Sequence, residues 1–225
     1  MRFSDKYRPA SLDEVVGQAA IRGLKSLAAR PYACCVLLEC EHGGVGKTSA
    51  ALAFARDLGC EDEWSGLHVV PCSEFTVDVA RRFFEGDGSC PLLRLRPFRG
   101  RGWQVLVLEE FDWLPTQTQR FLKVALETRL PDSCIVIATS NGAGRLDAAL
   151  LQRFRIYQFS AGKQFAEACQ AKLLEVWRTE AGNLPVPDEF AFWGNQGGGN
   201  FSLRVALDQM QQYLTLRMEE LLEVL

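Results

Sequence analysis

The chain has 225 residues, 48% of them hydrophobic and 24% charged, with a formal net charge of −3. It is long enough to bury a sizeable core as one large domain, or as a large domain plus a small one, and its composition excludes a disordered or fibrous protein. No apolar run approaches a bilayer span, and the opening MRFSDKYRP lacks the apolar core of a secretory signal; a cytoplasmic protein with no membrane contact is expected.

Five short, β-rich apolar runs follow one another at 34–40, 67–72, 104–110, 133–140 and 155–160, with helix-period stretches at 48–58, 77–85 and 116–128 between most of them. Strands alternating with helices predict βαβ crossovers, hence an α/β fold with a five-stranded, mainly parallel sheet covered by helices. The runs CVLLEC, QVLVLEE and CIVIATS are almost continuously apolar, as befits strands buried on both faces. After residue 160 the strand signals stop. Phe165, Ala168, Leu173, Val176 and Trp177 recur at helical spacing over 163–179. A Gly-Asn and Pro-x-Pro break follows, then a short helix near 188–193 and a glycine turn at 197–199. A last helix from about 202 carries Leu203, Leu207, Met210, Leu214 and Leu216 on one side. The expected division is an α/β domain over 1–160 and a small all-helical domain over 161–225.

None of the eight cysteines forms a CxxC pair, and Cys34, Cys35, Cys40, Cys72 and Cys134 fall in the apolar runs. They read as buried free thiols, since a zinc site needs ligand pairs at short spacing. Charge is uneven. Residues 161–225 hold 5 basic and 9 acidic side chains, whereas 81–101 hold Arg81, Arg82, Arg94, Arg96, Arg99 and Arg101 against Glu85 and Asp87. Such a local excess suits nucleic-acid phosphate or an acidic neighbour.

The first strand runs into Glu41-His42-Gly43-Gly44-Val45-Gly46-Lys47-Thr48, and a helix begins at once. This is the P-loop arrangement: backbone N–H groups wrap phosphates, the lysine reaches the outer phosphates and the threonine hydroxyl binds Mg2+. Glu41 occupies the place of the motif's first glycine and would crowd or repel a triphosphate. The third strand ends in Glu109-Glu110. In P-loop proteins of this kind the first acid holds magnesium and the second activates the attacking water. Glu109 is one methylene longer than the usual aspartate. Thr139-Ser140-Asn141 closes the fourth strand, where a polar side chain can orient water near the outer phosphate; an ordinary Asn-Gly turn is the alternative.

Together these motifs resemble the clamp-loader ATPases of the AAA+ class, the replication factor C small subunits and the bacterial DNA polymerase III γ/τ subunit. The likeness rests on Lys6-Tyr7-Arg8-Pro9, Leu12-Asp13-Glu14-Val15-Val16-Gly17-Gln18, Gly44-Val45-Gly46-Lys47-Thr48-Ser49 and Glu109-Glu110-Phe111-Asp112, in order along the chain. Leu151-Gln152-Arg153-Phe154 matches the family's Ser-Arg-Cys motif only at Arg153. The likeness covers neither the helical collar domain nor the zinc-binding insert of the γ/τ proteins.

The resemblance implies an ATP site in which Tyr7, Arg8, Pro9, Val16 and Gln18 frame adenine and ribose, and Gly43, Gly44, Val45, Gly46, Lys47, Thr48 and Ser49 hold the phosphates. Thr48 and Glu109 would bind Mg2+, Glu110 would be the base and Asn141 the first sensor. Arg204, following Gly199-Asn200-Phe201, would be the second sensor. Arg153 would act as an arginine finger on ATP held by a neighbouring AAA+ subunit, with a buried structural arginine paired to a strand-end acid as the alternative. Contacts to DNA would come from Arg81, Arg82, Arg120 and Lys123, and would be phosphate-directed and sequence-blind; solvated helix faces explain the same residues. The implied activity is ATP hydrolysis by an oligomer acting on DNA or a sliding clamp. Glu41 and Glu109 also fit a nucleotide-gated scaffold with weak ATPase activity, and the missing collar fits a regulator of a non-replicative machine.

Overall fold

The computed structural model describes residues 1–86, 90–182, 184–197 and 200–223. Asp87 of the charge count, and Gly198 and Gly199 of the expected turn and second-sensor motif, lie outside these described residues. The strands are β1 Cys34–Glu39, β2 Leu67–Pro71, β3 Gln104–Glu109, β4 Cys134–Ser140 and β5 Phe154–Gln158. The helices are α1 Phe3–Lys6, α2 Ile21–Ala29, α3 Lys47–Asp57, α4 Val77–Phe84, α5 Thr116–Thr128, α6 Ala148–Leu151, α7 Lys163–Glu180 and α8 Leu203–Glu223. The expected helix near 188–193 is a 3-10 segment, Asp188–Phe192.

The five strands pair in the order β2-β3-β4-β1-β5, and every pairing is parallel, where a mainly parallel sheet was expected. The order reverses around β1, which creates the crevice at the carboxyl ends of the strands where α/β sheets bind ligands. Register then sets which residues meet there. Glu39 lies opposite Ser140 and Gln158, and Leu108 lies opposite Ala138. The chain leaving β1, β3 and β4 therefore brings the P-loop, the acidic pair and Asn141 to one edge.

Both faces of the sheet are covered, which accounts for the continuous apolar runs. Val36, Leu38, Val105, Val107, Ile135 and Ile137 pack with residues of α2 and α3 in one buried cluster. The alternate residues Cys35, Leu37, Leu106, Leu108, Val136 and Ala138 form another with Phe83, Phe84, Leu122 and Leu126. The first cluster continues into the helical part through Phe165, Trp177, Trp193, Phe201 and Met210. The helical part consequently shares apolar burial with the α/β part. Its own centre is aromatic: Trp177, Phe190, Trp193 and Tyr213 lie with ring centroids 5.3–6.3 Å apart. Among the described residues no helix is long and apolar enough to cross a membrane.

Candidate functional site

A cavity of about 280 Å³ opens at the carboxyl edge of the sheet, between the α/β part and the helices that follow it. Three regions from the first 160 residues line it: Tyr7, Arg8, Pro9, Val15 and Val16; residues 43–49; and Glu110 with Thr139, Ser140 and Asn141. From the helical part come Phe165, Lys172, Leu203, Arg204 and Leu207. Composition thus changes across the cavity, from an apolar and aromatic end to a glycine-rich, cationic one.

At the glycine-rich end the chain passes from β1 to α3 through Gly44 at φ 74° and Gly46 at φ 90°, conformations that β-carbons disfavour. Gly46 is the N-cap of α3 and supplies no side-chain cap, so the first N–H groups of the helix are left for a ligand. A β-carbon on Gly44 would sit 2.0 Å from Ser202 Oγ: the residue preceding α8 rests directly on the P-loop, which only glycine permits. Gly43 has open space around it, and Glu41 is exposed and outside the cavity lining.

Lys47 is buried at the floor. Its Nζ donates to Cys40 O at 3.0 Å, His42 O at 2.9 Å and Asn141 Oδ1 at 2.9 Å. Burial lowers its pKa, opposed by the nearby carboxylates of Asp112 and Glu39. The cation is thus held among neutral acceptors and is short of a full anionic partner.

The two acids at the end of β3 separate. Glu110 adopts φ 55°, the left-handed region, as the single non-glycine among the described residues with positive φ. Its N–H lies 3.3 Å from Thr139 Oγ1, and the residue lines the cavity. Such strain in a bulky residue is tolerated where the surroundings impose it. Glu109 is half-buried and does not line the cavity. An acid the sequence reasoning assigned no role, Asp112, accepts from Ser140 Oγ and from the Asn141 N–H, both at 3.1 Å. Lys47, Asn141 and Asp112 form a continuous polar chain.

Gln18 departs from its expected place beside the base. It is buried and outside the lining, and its amide bonds Val45 O at 3.1 Å, Ser160 O at 2.8 Å and Ser160 N at 2.9 Å. It braces the P-loop against the end of β5. Arg204 and Lys172 reach the cavity from α8 and α7. Arg153 lies away from it at the corner between α6 and β5, donating to Glu127 at 2.6 Å and to Ala149 O at 2.5 Å. Its acid thus comes from helix α5 and is largely exposed, not from the end of a strand.

At least three of the four candidate DNA cations, Arg81, Arg82 and Lys123, have partners within the chain. Arg81 lies 3.6 Å from both Asp78 and Glu85, and Lys123 lies 3.1 Å from Asp147. Arg120 is exposed. The cysteines are all free; Cys90 is exposed and Cys34 half-buried, and the rest are buried. Among the described residues no three His, Cys, Asp or Glu side chains cluster as a metal site.

Residues 42–161 match the AAA family, described as "ATPase family associated with various cellular activities". The chain is 31% identical over 182 residues to the replication factor C small subunit of Archaeoglobus fulgidus, a match that covers 78% of this chain and 53% of the relative. With the replication factor C small subunit of Methanococcus vannielii the identity is 31% over 185 residues, covering 80% and 55%. The chain therefore spans about half the length of the relatives it matches. Among solved structures it is similar to the RuvB Holliday junction branch migration motor of Thermotoga maritima, with a TM-score of 0.66 at 21% identity over 97% of this chain and 67% of that one. A DNA polymerase III gamma subunit-related protein of the same organism aligns with a TM-score of 0.52 at 12% identity, covering 71% and 52%. At such identities these structures speak for the fold alone.

Proposed function

The chain belongs to the AAA family of ATPases, and from that premise we propose that it binds ATP with Mg2+ in the cavity described and hydrolyses it within an oligomer of AAA+ subunits. The observation that carries this reading is the convergence on one cavity of a glycine-rich helix start, the buried Lys47 ammonium and the strained Glu110.

The residues fit the nucleotide. Free N–H groups at the start of α3 and the Lys47 cation suit phosphate oxygens, and Tyr7, Val15, Val16 and Phe165 suit a purine ring. Lys47 would exchange a neutral acceptor for the outer phosphates. Thr48 would be the protein's hydroxyl ligand to magnesium, with phosphate and water completing the shell as this ion prefers. Bound magnesium would neutralise charge developing on the phosphoryl group. Glu109 would act on the metal only through water, since it stands outside the lining. Glu110 would take the proton of the attacking water, held in place by Thr139. Asn141, fixed by Asp112, would orient that water, and Arg204 would contact phosphate from the helical side.

The same reading takes 1–160 as the nucleotide-binding domain and 161–225 as its lid, with Arg153 serving the nucleotide of a neighbouring subunit. Likeness to replication factor C small subunits supports action on DNA or on a clamp around it. In this reading Arg120 and the arginines at 94–101 would contribute more than Arg81 or Lys123, which hold acids of their own chain. ATP turnover with and without primed DNA, alongside particle mass with and without ATP, tests the proposal. Stimulation by DNA and ATP-dependent growth in mass are expected. A monomer at every concentration that turns over ATP with first-order dependence on protein overturns the oligomeric part.

A further inference from the structure

The N-terminal segment changes attachment within a few residues. Phe3 N–H donates to Gln211 Oε1 of α8 at 2.8 Å, and the Phe3 ring packs edge-on against Tyr7. Lys6 Nζ pairs with Glu180, the last residue of α7, at 2.5 Å, and the Tyr7 hydroxyl donates to the same carboxylate. From Pro9 onward the chain is tied instead to α3. Pro9 O accepts from Arg56 at 3.0 Å, and Leu12 N–H donates to Asp57 Oδ2 at 3.2 Å. Residues 3–7 therefore ride on the helical part and residues 9–12 on the α/β part. Arg8 joins them beside the cavity, with Tyr7 and Pro9 in its lining.

Tyr7 is the part of this strap that the cavity sees. Its hydroxyl is already committed to Glu180, so what remains for a bound molecule is the aromatic ring. Burial, with the hydrogen bond and charge of Glu180 behind it, pushes the Tyr7 pKa up to about 12, so the phenol stays a donor at any physiological pH. Glu180 does not line the cavity, and its side chain is 17% exposed. It meets two donors at once, unlike an isolated surface ion pair, which contributes little.

We propose that Glu180 is a positioning residue for the nucleotide: it fixes the Tyr7 ring against the base and locks the N-terminal strap to the lid, so that the base leaves only when strap and lid move together. The proposal rests on the nucleotide reading above. It assigns Glu180 no contact with the ligand; its effect runs through Tyr7.

The test is dissociation of mant-ADP, a fluorescent nucleotide, from the full chain, followed by stopped flow after an ADP chase. Glu180→Ala and Tyr7→Phe each remove a charge-assisted hydrogen bond, and each should speed release about tenfold or more. The double variant should release no faster than the faster single one, because both changes break the same link. Glu180→Gln keeps an acceptor for the phenol and should restore release to within about threefold of the parent. Melting temperatures of the parent and the four variants separate this from a loss of fold, which would move stability and release together and would not be rescued by glutamine. Release from Glu180→Ala within twofold of the parent, or additive effects in the double variant, overturns the proposal while leaving the nucleotide site standing, provided Lys47→Ala still abolishes mant-ADP binding. A parent protein that does not bind mant-ADP overturns both.

Discussion

Lys47 Nζ donates to Asn141 Oδ1 at 2.9 Å, across 94 residues of sequence. The P-loop cation and the polar residue after β4 are therefore one unit before any ligand arrives. Asn141 is steadied in turn through its backbone by Asp112. Nucleotide binding would redirect Lys47 toward phosphate and release the Asn141 amide, which would couple occupancy to the side chain proposed to orient water.

Lys47→Ala should abolish measurable ATP binding in calorimetry, because it removes the buried charge that would meet the outer phosphates. Asn141→Ala should do less to affinity and more to turnover. The hydrogen bond it loses is a net ~1 kcal/mol in binding, while an orienting group lost from the transition state costs about tenfold or more in rate. Unchanged affinity in Lys47→Ala would refute the assignment of the P-loop.

Glu110→Gln should bind ATP as well as the parent yet hydrolyse it at least about a hundredfold more slowly, since an amide cannot take the proton of water. Single-turnover measurements separate the two steps. Glu109→Asp should leave magnesium-dependent turnover equal or better; a clear loss would mean that the longer side chain is built into the site.

Arg153→Ala decides between a finger and a structural role. Its partner Glu127 has a side chain 63% exposed, so the pair contributes at most about 1 kcal/mol to stability, and the melting temperature should fall by only a few degrees. Fold and ATP binding should survive while hydrolysis drops about a thousandfold. Mixing this variant with Glu110→Gln protein should restore part of the activity, because some interfaces then combine an intact finger with an intact base. A large loss of stability with no rescue on mixing would make Arg153 structural.

The thiols report on the core. Burial holds Cys35 and Cys169 up to about 12 and Cys60 to about 11, and raises Cys72 and Cys134 further. In the native protein Cys90 should react first with a thiol reagent, Cys34 next, and these five only on unfolding. The sign of the linked pH effect follows. A thiol with a folded pKa above its unfolded value of 9.0 contributes stability that is complete below pH 9 and is lost as pH rises toward 11–12. Urea melts from pH 8 to 10.5 should show a steadily falling midpoint; a flat midpoint would contradict the burial of these groups.

Strands, helices and the P-loop were legible in the linear sequence because each depends on neighbours a few residues apart. A short, nearly continuous apolar run marks a strand buried on both faces, a 3.6-residue period marks a helix, and 43–48 carries the glycines, lysine and threonine of the P-loop within six positions. Helix α5 appears at its expected bounds, 116–128. Roles that depend on distant partners were not legible in the same way. Gln18 reads as a residue beside the base until the fold brings Val45 and Ser160 to its amide, 27 and 142 residues away. Asp112 looks like the tail of an acidic box until strand register sets Ser140 and Asn141 against it. Lys123 reads as part of a basic surface until the fold brings Asp147, 24 residues away, to its ammonium. Glu180 carries no local signal at all, since its link to Tyr7 spans 173 residues. Hydrophobic periodicity says which face of an element is buried, whereas a hydrogen bond needs two particular atoms within about 3 Å. That proximity exists only once the sheet has its register and the last helices have settled on the P-loop.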